Sequence, residues 1–360
     1  MTASPTTQPI PGTAPTPATD EAPGGAGPVD GTVEEPPQHR KRKVAILLLL
    51  LFGFALLLGL AIWYLLFRQP ISVLPVIPGE IVMPTYSTAI YGADRPMGVA
   101  VSKDGSRVYI GETEGDRIAK IFDASGNQLG LLQPPLSTGA EHVPVYLALD
   151  PIANEVYVTD RPTGAIYIYS ADGVYQRAYN PGTALKGWQP LGITFDTAGN
   201  LFVTDVSASP QRILEFDRSG ALVRTLGTTA GLNFPNGIAV DKAGYVYVTD
   251  GNNGRLLVID QNDQVVAQVG RGVGEGNLGL PRAMVIDDSG RVYVADATGQ
   301  GVFVYDSYKP GDRGLNYLGF FGGEGVSNGA FQYPNGIALD GRGRVYVTDG
   351  GNDRVQVWSY

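Results

Sequence analysis

Tyr333-Pro334-Asn335-Gly336-Ile337-Ala338-Leu339-Asp340, then Val345-Tyr346-Val347-Thr348-Asp349, then Asn352-Asp353-Arg354-Val355-Gln356-Val357-Trp358: this stretch reads as three short strands separated by turns. Proline opens it, and a residue with a fixed φ and no N–H suits the first position of a strand. The strands are rich in Val, Ile and Tyr, and each is bounded by Gly, Asp or Asn, the residues that close turns. Moving toward the N-terminus, the same unit recurs with opening prolines at Pro281, Pro235, Pro190, Pro144 and Pro96. Six copies at a period of 45 to 53 residues point to a propeller or a solenoid.

The copy opened by Pro235 shows the full unit. Its strand candidates run from Gly237 to Asp241, Tyr245 to Asp250, Arg255 to Asp260 and Val265 to Gly270. Four strands per repeat is one propeller blade. These strands are apolar almost throughout, as expected where both faces pack against neighbouring blades. The aromatic of the second strand recurs as Tyr109, Tyr157, Phe202, Tyr247, Tyr293 and Tyr346, and its predicted role is packing between blades. The last copy has only three strands, whereas Tyr86 to Gly92 precedes the first copy and is similar to a fourth strand such as Tyr317 to Gly322. Pairing these two ends would close a ring of six blades without an open sheet edge.

The Tyr333 to Trp358 pattern and the lead-in Phe321-Gly322-Gly323-Glu324-Gly325 resemble the NHL repeat family. The resemblance covers residues 86–360 and is strongest in the fourth and sixth copies. The second copy departs most, with Tyr146 where Gly is usual. It implies an all-β, six-bladed β-propeller of NHL type over 86–360. With the helix below, the architecture is similar to the extracytoplasmic sensor propeller of bacterial receptor kinases, although residues 1–43 hold no kinase.

Ahead of the repeats lie three segments. Residues 1–43 are rich in Pro, Thr, Ala and Gly and end in Arg40-Lys41-Arg42-Lys43. So few large apolar side chains cannot offset the entropy of ordering, which predicts a disordered N-terminal tail. Residues 44–67 are uncharged and dominated by Leu, long enough at about 1.5 Å per residue to cross a hydrocarbon core of about 30 Å. The lipid bilayer is thus an expected partner through one transmembrane helix. The basic cluster before it, against Arg68 alone after it, predicts a cytoplasmic N-terminus and an extracytoplasmic propeller. The Pro-punctuated segment 68–85 reads as a stalk.

The chain has no cysteine, which excludes disulfides, thiolate metal sites and cysteine nucleophiles. From Ile71 onward it carries 21 Lys and Arg against 30 Asp and Glu. Nucleic acid is therefore not an expected partner, because phosphate recognition relies on basic side chains. Two histidines, His39 and His142, cannot build the multi-histidine zinc site of peptide-amidating lyases with a similar repeat.

The Gly-rich run Gly270 to Gly276 leads into a Pro-opened strand rather than a helix, so it reads as an inter-blade connection and not a phosphate loop. Asp160, Asp205, Asp250, Asp296 and Asp349 recur at strand ends, as do Asp150, Asp196, Asp241, Asp287 and Asp340 before the next turn. Their repetition points to turn chemistry rather than to one metal site.

A site is expected where the blades differ. The residue after each opening proline is Met97, Val145, Leu191, Asn236, Arg282 or Asn335. Asn236, Arg282 and Asn335, with Asn252 and Asn352 from the same loop face, are the predicted ligand-binding residues. No catalytic residue and no cofactor is assigned. The leading expectation is a membrane-tethered module that binds an envelope protein, peptide or glycan. The alternative is a hydrolase: Asn236 and Asn335 resemble the metal-binding asparagine of gluconolactonase-like and paraoxonase-like enzymes, which implies a divalent cation such as calcium. Those families also need converging acidic ligands, and no Asp or Glu follows any of the six prolines.

Overall fold

A computed structural model describes residues 37–67 and 81–360, apart from 136–140, 182–184, 186, 208 and 273. The tail expected over 1–36 and the stalk expected over 68–80 lie outside the described residues. The chain divides into two units, Met1–Arg68 and Gln69–Tyr360.

In the first unit the described residues form a helix from Pro37 to Phe67. Within it, Lys41–Trp63 has a mean hydropathy of 3.0, long and apolar enough to cross a membrane. Its leucines are exposed on every side. The helix begins at Pro37 rather than at the predicted Val44. Proline suits the first turn, and Arg and Lys are good helix formers, so the basic cluster continues the helix.

In the second unit, the described residues form twenty-four antiparallel strands in six sheets of four, five of them in chain order and the sixth completed by the first strand. The innermost strands are Pro96–Val101, Pro144–Leu149, Pro190–Phe195, Pro235–Val240, Pro281–Ile286 and Pro334–Leu339. Each lies against the next, and the sixth lies against the first, so the ring of six blades closes. Closure uses both ends of the repeat region: Thr85–Tyr91 pairs antiparallel with Arg354–Ser359, from Thr85 opposite Ser359 to Tyr91 opposite Arg354. Because strands alternate in direction, the loops that enter the first strand and leave the second share one face.

In four blades the inner strands come so close that a side chain is excluded at the second position after the proline, whereas blades two and five carry Tyr146 and Ala283 there. A Cβ built on Gly98, Gly192, Gly237 or Gly336 would stand 2.3 to 2.5 Å from a carbonyl oxygen of the following blade. Threonines of the second strands bridge the same seam. Thr159, Thr204 and Thr348 donate from Oγ1 to the Leu191, Pro235 and Met97 carbonyls at 3.0, 2.8 and 3.0 Å, and Thr249 donates to the Arg282 carbonyl. Blades one and five have Gly111 and Ala295 there and lack this bond.

The recurring aromatics are buried between blades, as predicted. Their hydroxyls cross the seam too: Tyr109 donates to the Ala171 carbonyl at 2.9 Å, and Tyr247 accepts from the Tyr308 N–H at 2.8 Å. One expectation fails. The first three strands are buried on both faces, but fourth strands such as Tyr175–Tyr179 and Leu222–Leu226 are largely exposed. In a radial blade the outermost strand lies beyond the reach of its neighbours.

Candidate functional site

Three residues after each opening proline, Val99, Leu147, Ile193, Ile238, Met284 and Ile337 converge from all six blades. They narrow the central channel to a void of about 40 Å³. Above this apolar constriction, on the face of the entering loops, lies a cavity of about 360 Å³. The channel mouth is thus a pocket with a floor rather than a passage.

Five of the six post-proline residues line this cavity: Met97, Val145, Leu191, Asn236 and Arg282. Val143, Tyr146 and Phe234 extend its apolar wall. Its charged lining residues are Arg161 and Arg282, with no carboxylate among them. In a protein of net charge -9, the mouth is a local concentration of positive charge.

The two arginines come from blades two and five, which face each other across a ring of six. Arg282 follows Pro281 and reaches Asn236, donating from Nη1 to Oδ1 at 3.3 Å. Arg161 follows the second strand of blade two and lays its guanidinium over the Phe234 ring, 5.1 Å from the centroid. Both Nε atoms are enclosed without a hydrogen-bond partner. Phe234 is held in a left-handed conformation (φ 58°) directly before Pro235. Three bonds keep it there: its N–H donates to Gln211 Oε1, and its carbonyl accepts from Asn236 Nδ2 at 3.0 Å and from the Gly251 N–H at 3.2 Å.

Tyr146, in the place where other blades carry Gly or Ala, lines both the mouth and the channel below it. Burial pushes its phenol up to about 12, partly offset by the positive charge of Arg282. The departure of the second copy from the repeat therefore puts a neutral phenol at the bottom of the pocket.

Of the predicted site residues, the fold brings Asn236 and Arg282 together. Asn335 does not line the cavity; its Nδ2 donates to the Tyr333 carbonyl at 2.7 Å. Asn252 and Asn352 lie in short 3-10 turns, Gly251–Asn253 and Gly350–Asn352. There Asn252 donates to Asn233 Oδ1, and Asn352 donates to the Asp349 carboxylate and the Gly325 carbonyl. Sequence reasoning did not single out Arg161, and it missed the apolar wall. The signal available was the exception at Tyr146.

The strand-end carboxylates accept from their own turns, as their recurrence predicted, Asp205 from the Ser207 N–H at 3.1 Å for one, and they also tie down more distant loops that the sequence did not point to. Asp160, Asp205, Asp250, Asp296 and Asp349 accept from the N–H groups of Val143, Gln189, Asn233, Leu280 and Gln332, in the loops entering their own blades. Glu112 does the same for Asp94 in blade one, with Lys120 beside it at 2.7 Å. The aspartates at the inner turn accept from their own turns, as Asp241 does from the Ala243 and Tyr245 N–H groups. His142 is a loop residue whose Nδ1 lies 3.0 Å from Asp160 Oδ2.

A family model of the teneurin NHL domain matches residues 93–272, and one of the NHL repeat matches residues 331–358. The chain belongs to the NHL-repeat family. Human teneurin-1 is 32% identical over 175 residues, which make up 49% of this chain and 5% of teneurin-1. The chain thus corresponds to about a twentieth of that relative's length. NHL repeat-containing protein 3 of Mus musculus is 29% identical over 229 residues, 59% of this chain and half of that protein. Among solved structures, a streptogramin B lyase superposes with a TM-score of 0.53 at 15% identity, over 78% of this chain and 99% of the lyase. A Bacteroides thetaiotaomicron VPI-5482 protein of unknown function gives 0.56 at 16%, over 77% and 72%. At these identities the two structures share only the fold with this NHL propeller.

Proposed function

We propose that this NHL propeller is a membrane-anchored binding module that presents its loop face outside the cytoplasm to a protein, peptide or glycan of the envelope. The observation that carries the reading is the floored pocket at the channel mouth, where apolar and cationic residues from different blades replace the repeat's uniform chemistry. Concave, mostly apolar pockets with a few convergent polar groups are typical ligand sites. The match to the teneurin NHL domain supports the same reading. The helix Lys41–Trp63 supplies the anchor, and the basic residues at its start orient it. A cation at Asn236 is disfavoured by the guanidinium already hydrogen-bonded to its Oδ1.

Photo-crosslinking tests the face. A crosslinker replacing Tyr333 on the loop face is expected to capture a partner in membranes, and one replacing Val174 on the opposite face is not. Capture from Val174 alone, or from both positions equally, contradicts the reading. So does calcium binding that Asn236→Ala abolishes, which would favour the hydrolase.

A further inference from the structure

We propose that the channel mouth is a carboxylate site, in which Arg161 and Arg282 clamp the anion of an organic acid whose apolar body rests on Met97, Val145 and Leu191. This rests on the binding reading above and names the chemistry of its ligand.

Arg212, Arg255, Arg291, Arg344 and Arg354 are half-buried or buried, and each pairs with an aspartate at 2.7 to 3.0 Å. Among the described residues, Arg161 and Arg282 are the half-buried arginines without a carboxylate. Taking a guanidinium partly out of water without a counter-charge costs free energy, and a folded chain normally supplies an acid or lets the cation swing into solvent. Here neither happens. Phe234 pins Arg161 from one side, Asn236 holds Arg282 at its Nη1, and both Nε atoms are enclosed. The two cations line one cavity, each held by a residue at the entry of blade four, with no carboxylate in the lining.

The rest of the cavity selects among anions. Inorganic phosphate prefers a polar cradle of N–H groups, and this wall is Met97, Val143, Val145, Leu191 and Phe234. A guanidinium matches a planar carboxylate through paired N–H donors. About 360 Å³ accommodates one apolar side chain or ring together with its carboxylate. The floor of six apolar residues stops the ligand at the mouth, so a peptide would enter by its C-terminal residue.

The test is calorimetric titration of the full chain in detergent micelles with N-acetyl-phenylalanine, its neutral amide and inorganic phosphate. The acid is expected to bind at least tenfold more tightly than the amide or phosphate, and Arg161→Gln or Arg282→Gln to weaken it tenfold or more. Comparing acid with amide on the unaltered chain does not depend on how the variants fold. N-acetyl-Ala-Ala-Phe binding tenfold better than the single residue identifies a peptide C-terminus, and equal binding a free acid. Equal affinity for acid and amide, no acid binding, or acid binding that survives both substitutions overturns the proposal. If it fails while crosslinking from Tyr333 persists, only the ligand class is lost; if that crosslinking is absent, the binding reading itself is lost.

Discussion

Tyr86 and Trp358 meet edge to face, with ring centroids 6.2 Å apart and planes at 90°, joining the first strand of the ring to the last. Trp358 also stacks on Phe331 at 5.7 Å and packs against Phe321 at 4.8 Å. The closing blade is thereby built around one indole supplied by the end of the chain.

Trp358→Ala is expected to destabilise the propeller by about 3–5 kcal/mol, the usual cost of removing a buried large aromatic. Urea denaturation of the full chain in detergent measures it. A loss below about 1 kcal/mol would mean that the clasp is not held by this residue.

The threonine seam gives a second expectation. Thr249 Oγ1 accepts from the Gly237 N–H at 2.7 Å and donates to the Arg282 carbonyl. Thr249→Val keeps the shape, leaves both backbone groups unpaired, and should cost about 1–3 kcal/mol. Thr249→Ser should recover most of that loss. Equal unfolding midpoints for Val and Ser would rule out the hydroxyl as the bridging group.

The tyrosines predict the response to alkali. Burial raises Tyr109 and Tyr146 to about 12, from 10.0 when exposed. Between these values the native state keeps protons that the unfolded chain has released. Stability is therefore complete below about pH 10 and falls as pH rises toward 12. For Tyr146 the slope is at most about 1.4 kcal/mol per pH unit. Ultraviolet titration should show late phenol ionisation, and Tyr146→Phe should flatten the decline. A full tyrosine transition centred near pH 10 in the folded protein would refute this.

Topology is testable because the chain has no cysteine of its own. Val326, 70% exposed, is a suitable labelling position on the propeller. Val326→Cys should react with a membrane-impermeant maleimide on intact cells, and Ser4→Cys only after permeabilisation. The reverse pattern would invert the proposed orientation.

Much of the architecture was legible in residue order because blades are local objects. A proline-opened strand, an Asp-led turn and a β-branched second strand are read within a dozen residues, and the recurrence from Pro96 to Pro334 counts the blades. The clasp was legible too, since a final repeat of three strands and a spare strand at Tyr86 complement each other. The exposure of the fourth strands was not, because Tyr175–Tyr179 and Leu222–Leu226 differ from inner strands by radial position rather than by turn chemistry.

The candidate site divides along the same line. That Asn236 and Arg282 follow their prolines, and that Tyr146 breaks the repeat, is written in the chain. Only closure of the ring sets Arg161 of blade two and Arg282 of blade five on one cavity, lays Phe234 beneath the first and seals the floor with one apolar side chain from each blade. Strand, turn and apolar helix follow from interactions between near neighbours, which residue order specifies. A pocket follows from contacts between segments far apart along the chain, which exist only once the blades have closed on themselves.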